Sequence, residues 1–470
     1  MKKSILNEYR FFDSDPVVRK IAFDLYSSVR NLPIISPHGH VDPATLADNL
    51  PFPDPTELII IPDHYIYRML YSRGIPLESL GIPSSDGARV ETDHRKIWQT
   101  FADNYYLFAG TPTGIWLTHE FVEVFGINEI LNSKNAMKFY DKINNKLQTP
   151  KYLPRALFEK FKIEVLTTTD SPSDSLKFHW KIRESGLKGK VVPCFRPDAL
   201  INITKNSWKA EIDALGAASG IDVSSYKNFI RALENRREYF KSMGAVSTDH
   251  GVESPYTHRL PSLEAEDLFK RALKCKATDD DLAAFTPHML MEMARMSSED
   301  GLVMQIHAGA FRNHNAKVFE RFGSDRGGDI PVRTEFTRNL HDLLNEFGNN
   351  PDFTMVVFTL DESAYSRELA PLAGHYPGMK LGASWWFHDS IGGMRRYRDE
   401  VTETAGFYNT VGFTDDTRAF LSIPARHDLA RRMDSNFLAG LVARHILSKD
   451  DARKIGMSLA YDLAKKTYKL

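Results

Sequence analysis

Residues 32–40 read LPIISPHGH, a short apolar run that stops at two histidines spaced two apart. Alternate side chains of an extended segment share a face, so His38 and His40 point the same way and can grip one divalent cation. Two histidines are half a metal site, and an H-x-H tripeptide in a polar loop needs no metal at all. The pair gains weight because the same arrangement recurs along the chain. Short runs rich in β-branched residues follow at 163–168 (IEVLTT), 190–195 (KVVPCF), 244–248 (GAVST), 302–307 (LVMQIH), 353–359 (FTMVVFT), 379–385 (MKLGASW) and 408–414 (YNTVGFT). With 32–36, these make eight candidate strands separated by helix-like stretches, the pattern of an α/β chain folded as a (β/α)8 TIM barrel. Nearly every run ends on residues able to do chemistry: His38 and His40, Asp170, Arg196, Asp249 and His250, His307, Asp361, Trp386 and His388, and Asp416. In such a barrel the C-terminal strand ends meet at one face, so distant residues converge on one pocket.

The 470 residues exceed the roughly 250 of a plain barrel, which calls for an insertion. Residues 1–40 are read as an N-terminal helix and strand one, the helix opened by Asp15 as cap and Pro16 in its first turn. Residues 41–162 are too long for one crossover and carry helical apolar spacing, so they form a mainly α-helical insertion after strand one. Residues 163–470 hold the rest of the barrel, with a further pair of helices near 202–241.

With Lys+Arg 60 against Asp+Glu 61, the net charge is -1 and gives no general attraction to nucleic acid. Hydrophobic content of 42% and charged content of 26% describe an ordinary globular chain. No apolar run reaches the roughly 20 residues of a membrane helix, the first residues lack a signal-peptide core, and a cytoplasmic protein is expected. The two cysteines, Cys194 and Cys275, match neither a disulfide scaffold nor a zinc-finger spacing, so a metal must use histidine and carboxylate.

Asp416 closes strand eight, beside strand one in a closed barrel, and can supply a third, carboxylate ligand. It also sits in a T-D-D-T run rich in helix-capping residues. Arg196 ends a buried strand, where its fork suits a substrate carboxylate or an internal pair with Asp198. Arg312 is a second cation near the mouth, and Gly309 lets a ligand approach the backbone. Asp63-His64-Tyr65 reads as a helix start with Asp63 as cap, reaching the pocket only if the insertion folds over its mouth. Trp385 and Trp386 can stack on a sugar or pack the rim.

Taken together, H-G-H at 38–40, D-H-Y at 63–65, T-T-D-S-P-S-D-S-L at 168–176, R-P-D at 196–198, D-H at 249–250, Q-I-H-A-G-A-F-R-N at 305–313, W-W-F-H-D at 385–389, and D-T-R-A-F-L-S with R-H at 416–422 and 426–427 resemble the uronate (glucuronate) isomerases of the amidohydrolase superfamily. The resemblance runs along almost the whole chain. It implies a (β/α)8 barrel that interconverts D-glucuronate with D-fructuronate and D-galacturonate with D-tagaturonate in hexuronate catabolism. By position, it implies a divalent ion, zinc, on His38, His40 and Asp416. It places the sugar carboxylate on Arg196, with His64, Tyr65 and Arg418 at the reacting end. Substrate contacts are expected from His64, Arg196, Arg312, His307, Trp385 and Trp386, and a homo-oligomer is expected.

An aldose to ketose shift moves a proton from C2 to C1 through an enediol, which needs a base, a proton donor and stabilisation of the enediolate. The expectation is that Asp416 handles proton transfer, Tyr65 is its partner acid or base, and Arg418 steadies the enediolate. The rival is a hydrolase or deaminase of the same superfamily using a metal-activated hydroxide, with His307 as a further ligand. Against it, binuclear members resemble one another in a Lys after strand four and a His after strand six, where this chain has Thr248-Asp249-His250 and Thr359-Leu360-Asp361. A non-catalytic sugar-acid binding protein is the third reading.

Overall fold

Three Asp-Pro dipeptides set the first helices of the chain. Asp15, Asp42 and Asp54 each stand in extended backbone and accept hydrogen bonds from the first free N–H groups of the helices Pro16–Val29, Pro43–Asp48 and Pro55–Ile59. Proline in the first turn gives up an N–H that would have had no partner, so cap and proline together fix where each helix starts. The computed structural model describes residues 4–470.

Among the described residues nine strands follow in chain order: β1 Ile34–Ser36, β2 Ile163–Thr167, β3 Lys190–Val192, β4 Ser247–Val252, β5 Val303–Ala308, β6 Ala310–Phe311, β7 Ile330–Pro331, β8 Met355–Thr359 and β9 Met379–Leu381. β1, β2 and β3 pair in parallel, as do β4, β5, β8 and β9 in that order. Phe195 joins the two groups, bridging Asp170 on one side and Thr248 on the other. Leu381 bridges Thr410, and the last segment returns to the first where His40 N–H donates to the Thr417 carbonyl at 3.0 Å. This order is consistent with a (β/α)8 barrel. β6 and β7 form a small antiparallel pair beside it that closes the loop carrying Arg312 to Asp329.

Several strands differ in extent from the sequence expectation, each for a local reason. The fourth runs Ser247–Val252 rather than 244–248, because Gly244 at φ 93 is still turning the chain out of the preceding helix. Asp249 and His250 therefore lie within the strand. The third stops at Val192, before Pro193, which has no N–H to donate. The seventh ends at Leu381, because Gly382 lies so close under Phe358 that a Cβ there would meet the ring at 2.3 Å. The eighth, expected at 408–414, is reduced to the Thr410 bridge. Gly412 at φ 79 bends it against the Leu459 carbonyl.

Between β1 and β2 the chain is helical, from Pro43–Asp48 to Pro154–Lys160. It buries its own apolar cluster, in which Trp98, Phe101, Phe121 and Phe139 pack together and reach Ile34 and Leu166 of the strands. Residues 202–241 hold the expected helix pair, Trp208–Ser219 and Tyr226–Ser242.

Candidate active site

The strand ends and the helical segment meet in one cavity of about 340 Å³. Its walls include His38, His40, His64, Tyr65, Arg196, His307, Arg312, Trp385, Trp386, Asp416 and Arg418, and of the other strand-end residues Asp249 lines it while Asp170, His250, Asp361 and His388 do not. The segment after β1 does fold over the mouth. Asp63 caps the helix His64–Tyr71, its carboxylate accepting the Tyr65 N–H at 2.8 Å, so the cap fixes the two side chains that follow it. Asp63→Asn should retain this cap. Asp63→Ala should lower stability by about 1 kcal/mol and displace His64 and Tyr65, measured by denaturant unfolding and turnover of the same samples.

At the base of the cavity His38 Nε2 lies 3.5 Å from Asp416 Oδ1 and 3.9 Å from Asp249 Oδ2, and His40 Nε2 lies 3.1 Å from Asp416 Oδ1. His307 stacks on His38 and shares a 2.7 Å hydrogen bond between its Nδ1 and Asp249 Oδ1. Ligand atoms of His38, His307 and Asp416 all lie within 4.8 Å of one another, while His40 stands outside that group and meets Asp416. Burial lowers His38 to about 4, leaving a neutral imidazole at pH 7. Burial pushes the Asp416 carboxyl up, but the neighbouring histidines outweigh it and hold the group well below the ordinary carboxylate range. His307 Nε2 is buried without a hydrogen-bond partner, beside two buried carboxylate oxygens, Asp249 Oδ2 and Asp416 Oδ1, whose contacts are ion pairs with Arg196 and with His38 and His40. An unpartnered imidazole nitrogen gathered with carboxylate oxygens in one buried place is costly unless a cation joins them. This donor set fits a divalent metal.

Asp416 belongs to this site and Asp415 does not. Asp415 is buried behind it, accepting from Ser36 Oγ at 3.0 Å and paired with His427 Nε2 at 2.9 Å. Asp416 caps no helix: it sits at φ 39, and its Oδ2 accepts the Trp385 indole N–H. Trp386, Asn313 and Asp325, also lining the cavity, share positive φ values. Non-glycine residues there are strained and persist only where surrounding contacts hold them.

Four arginines stand on the walls, Arg196, Arg312, Arg418 and Arg426. Arg196 does pair with Asp198 (Nε to Oδ2, 2.9 Å), and its Nη1 also lies 3.1 Å from Asp249 Oδ2. Arg312 meets Asp329 at 2.7 Å with its guanidinium over the Trp386 ring. Arg418 reaches Asp325 only at 3.7 Å. His64 is half-buried, with both ring nitrogens shielded from solvent and unpartnered, and desolvation lowers it to about 3, a neutral ring at pH 7. Burial raises the Tyr65 phenol well above its usual value, so it enters the site protonated.

Four wall residues escaped sequence reasoning. Asp249 was visible only as a strand end without a role. Asp325 and Asp329 lie in an irregular S-D-R-G-G-D loop with no periodicity or motif to mark them. Arg426, fully buried, bonds Asp389 at 2.6 Å and lies 3.6 Å from the Trp116 ring centre. The only signal for it was its place in the R-H pair at 426–427.

The sequence model of the glucuronate isomerase family matches residues 10–468. A uronate isomerase of Nostoc punctiforme is 55% identical over 470 residues, covering 100% of this chain and 99% of the relative. The crystal structure of glucuronate isomerase from Caulobacter crescentus superposes with TM-score 0.96 at 51% identity, covering 99% of this chain and 97% of that one. A uronate isomerase structure from Thermotoga maritima gives TM-score 0.92 at 28% identity, covering 99% and 100%. Matched from end to end in sequence and in backbone, the chain belongs to the glucuronate isomerase family.

Proposed function

We propose that the chain is an aldose-ketose isomerase of hexuronates, converting D-glucuronate to D-fructuronate and D-galacturonate to D-tagaturonate. One observation carries the reading: a single cavity combines an imidazole and carboxylate nest at its base with four arginines on its walls. A sugar acid needs both, a cation for its carboxylate and oxygen-binding groups at the carbonyl end. The match of family and relatives favours this reading over the hydrolase, which would consume water.

In our reading a divalent cation, zinc, would be held by His38, His40 and Asp416 and would polarise substrate oxygens when bound. Arg196 takes the sugar carboxylate through its Nη donors, and Arg312 and the two tryptophans shape the wall around the sugar. Asp416, ionised at neutral pH, removes the proton from C2 while the Tyr65 phenol gives its proton to O1. The enediolate oxygens face Arg418. Collapse returns the proton from Asp416 to C1, and O2 gives its proton back to the Tyr65 oxygen. Arg426, 5.5 Å from the Tyr65 ring centre, favours the transient phenolate.

The test mixes metal-replete protein with D-glucuronate and follows ketose formation and product mass together. A ketose of unchanged mass is expected. Chelation should abolish turnover, and added zinc should restore it. No turnover of either uronate with metal bound overturns the reading and points to a hydrolase. Arg196→Lys should raise KM for the uronate by at least about tenfold with a smaller change in kcat, since lysine cannot form the bidentate contact. Among the described residues no helix is long and apolar enough to cross a membrane. Assembly as a homo-oligomer in the cytoplasm completes the proposal, with light scattering the measure of subunit number.

A further inference from the structure

Tyr468 is fully buried yet does not line the cavity. It follows the helix Leu463–Thr467 and shares an apolar cluster with Val303, Val356, Phe358 and Val411. Neighbouring Lys469 is tied to the start of β5 by a 2.9 Å bond from Nζ to the Gly301 carbonyl. In this apolar setting the Tyr468 hydroxyl has one partner, donating to Oε1 of Gln305 at 2.8 Å. Gln305 is itself fully buried in β5. The other end of its amide donates to the Thr248 carbonyl at 3.4 Å and lies 3.4 Å from Nδ1 of His38. No other hydrogen bond reaches the His38 ring among the described residues.

A histidine that binds a cation through Nε2 needs its second ring nitrogen held by a hydrogen-bonding group, which fixes both tautomer and ring plane. With a cation on Nε2 the proton sits on Nδ1, which calls for the amide oxygen there; the tyrosine hydroxyl, able to donate or accept, permits that turn of the amide, which gives up the 3.4 Å bond to the Thr248 carbonyl. We propose that Tyr468 and Gln305 are positioning residues, the phenol anchoring the amide and the amide orienting His38 so that Nε2 faces the base of the cavity. The inference rests on the reading of His38 as a metal ligand. It gives an activity-linked role to a residue that touches neither cavity nor substrate.

The test titrates chelator-stripped full-length protein with cobalt(II) and follows the visible ligand-field absorption, with the melting temperature of the stripped protein measured alongside. Tyr468→Phe should weaken cobalt binding about tenfold and displace the band, and Gln305→Leu should weaken it about 10- to 100-fold. Gln305→Glu, which can only accept, should keep at least the parent affinity. A purely structural Tyr468 would lower the melting temperature and leave titration and band unchanged. If Tyr468→Phe and Gln305→Leu bind cobalt as the parent does, the inference is wrong while the metal reading stands. Should the leucine variant fail to fold, Tyr468→Phe alone decides. A parent that binds no cobalt overturns the metal reading itself.

Discussion

Asp416→Asn is expected to lower turnover of D-glucuronate by about 10²–10⁴-fold, the range for removing a general acid-base group, with KM largely kept. Asparagine fills the same space, so the fold should not change. What is lost is charge and basicity at the one carboxylate that meets both His38 and His40 through Oδ1 and holds the Trp385 indole through Oδ2. With its oxygen kept on the indole N–H, the amide turns an NH2 toward the imidazoles and offers no charge or basic oxygen there. KM is protected because the sugar carboxylate is read by Arg196, on another strand end. Metal content is measured on the same sample, as Asp416 is also a proposed ligand. The control is Asp415→Asn, which lies behind the cavity on Ser36 and His427 and should cost stability before turnover. Near-normal turnover in Asp416→Asn beside a dead Asp415→Asn would reverse the assignment.

The barrel pattern was readable because buried parallel strands are apolar on both faces and short, and the chain places a polar residue at the end of each. The second, fifth and sixth expected strands lie where the hydrogen bonds put them. The eighth is almost invisible as a strand, since Gly412 bends it for a reason written elsewhere in the sequence, the approach of the Leu459 carbonyl. The fourth shifts because a glycine that ends a helix and a glycine that starts a strand look alike in one sequence.

The site was legible where local chemistry and strand phase agree, as in His38, His40, Arg196, His307 and Asp416. It was legible through family resemblance alone where a residue arrives from a helix, as with His64 and Tyr65. Asp325 and Asp329 arrive on an irregular loop, where no period links spacing to direction. Tyr468 had no signal at all: it acts through a contact with Gln305 more than a hundred residues away. Contacts at such separation are a product of the closed fold and leave no local trace.

Asp389→Ala should destabilise the protein by about 3–5 kcal/mol, the cost of leaving a buried charge without its partner. Arg426 is nearly inaccessible to solvent, and Asp389 Oδ2 accepts from its Nη1 at 2.6 Å. A guanidinium cannot escape by losing its proton, so removing Asp389 strands a permanent cation. Its other contacts, Ser422 Oγ at 3.1 Å, the Asp415 backbone carbonyl at 3.4 Å and the faces of Trp116 and Tyr65, carry no formal negative charge, and the Asp63 and Asp415 carboxylates act on it without a direct ion pair. The double variant Asp389→Ala/Arg426→Met should recover part of the loss, because the stranded charge is gone and methionine fills the space. Denaturant unfolding of the two single variants and the double gives the coupling directly, and strict additivity would mean the two side chains do not act as a pair. Turnover separates the roles further. If Arg426 favours the Tyr65 phenolate, the double variant should regain stability without regaining kcat. Recovery of both together would make Arg426 a packing element and remove it from the proton-transfer scheme.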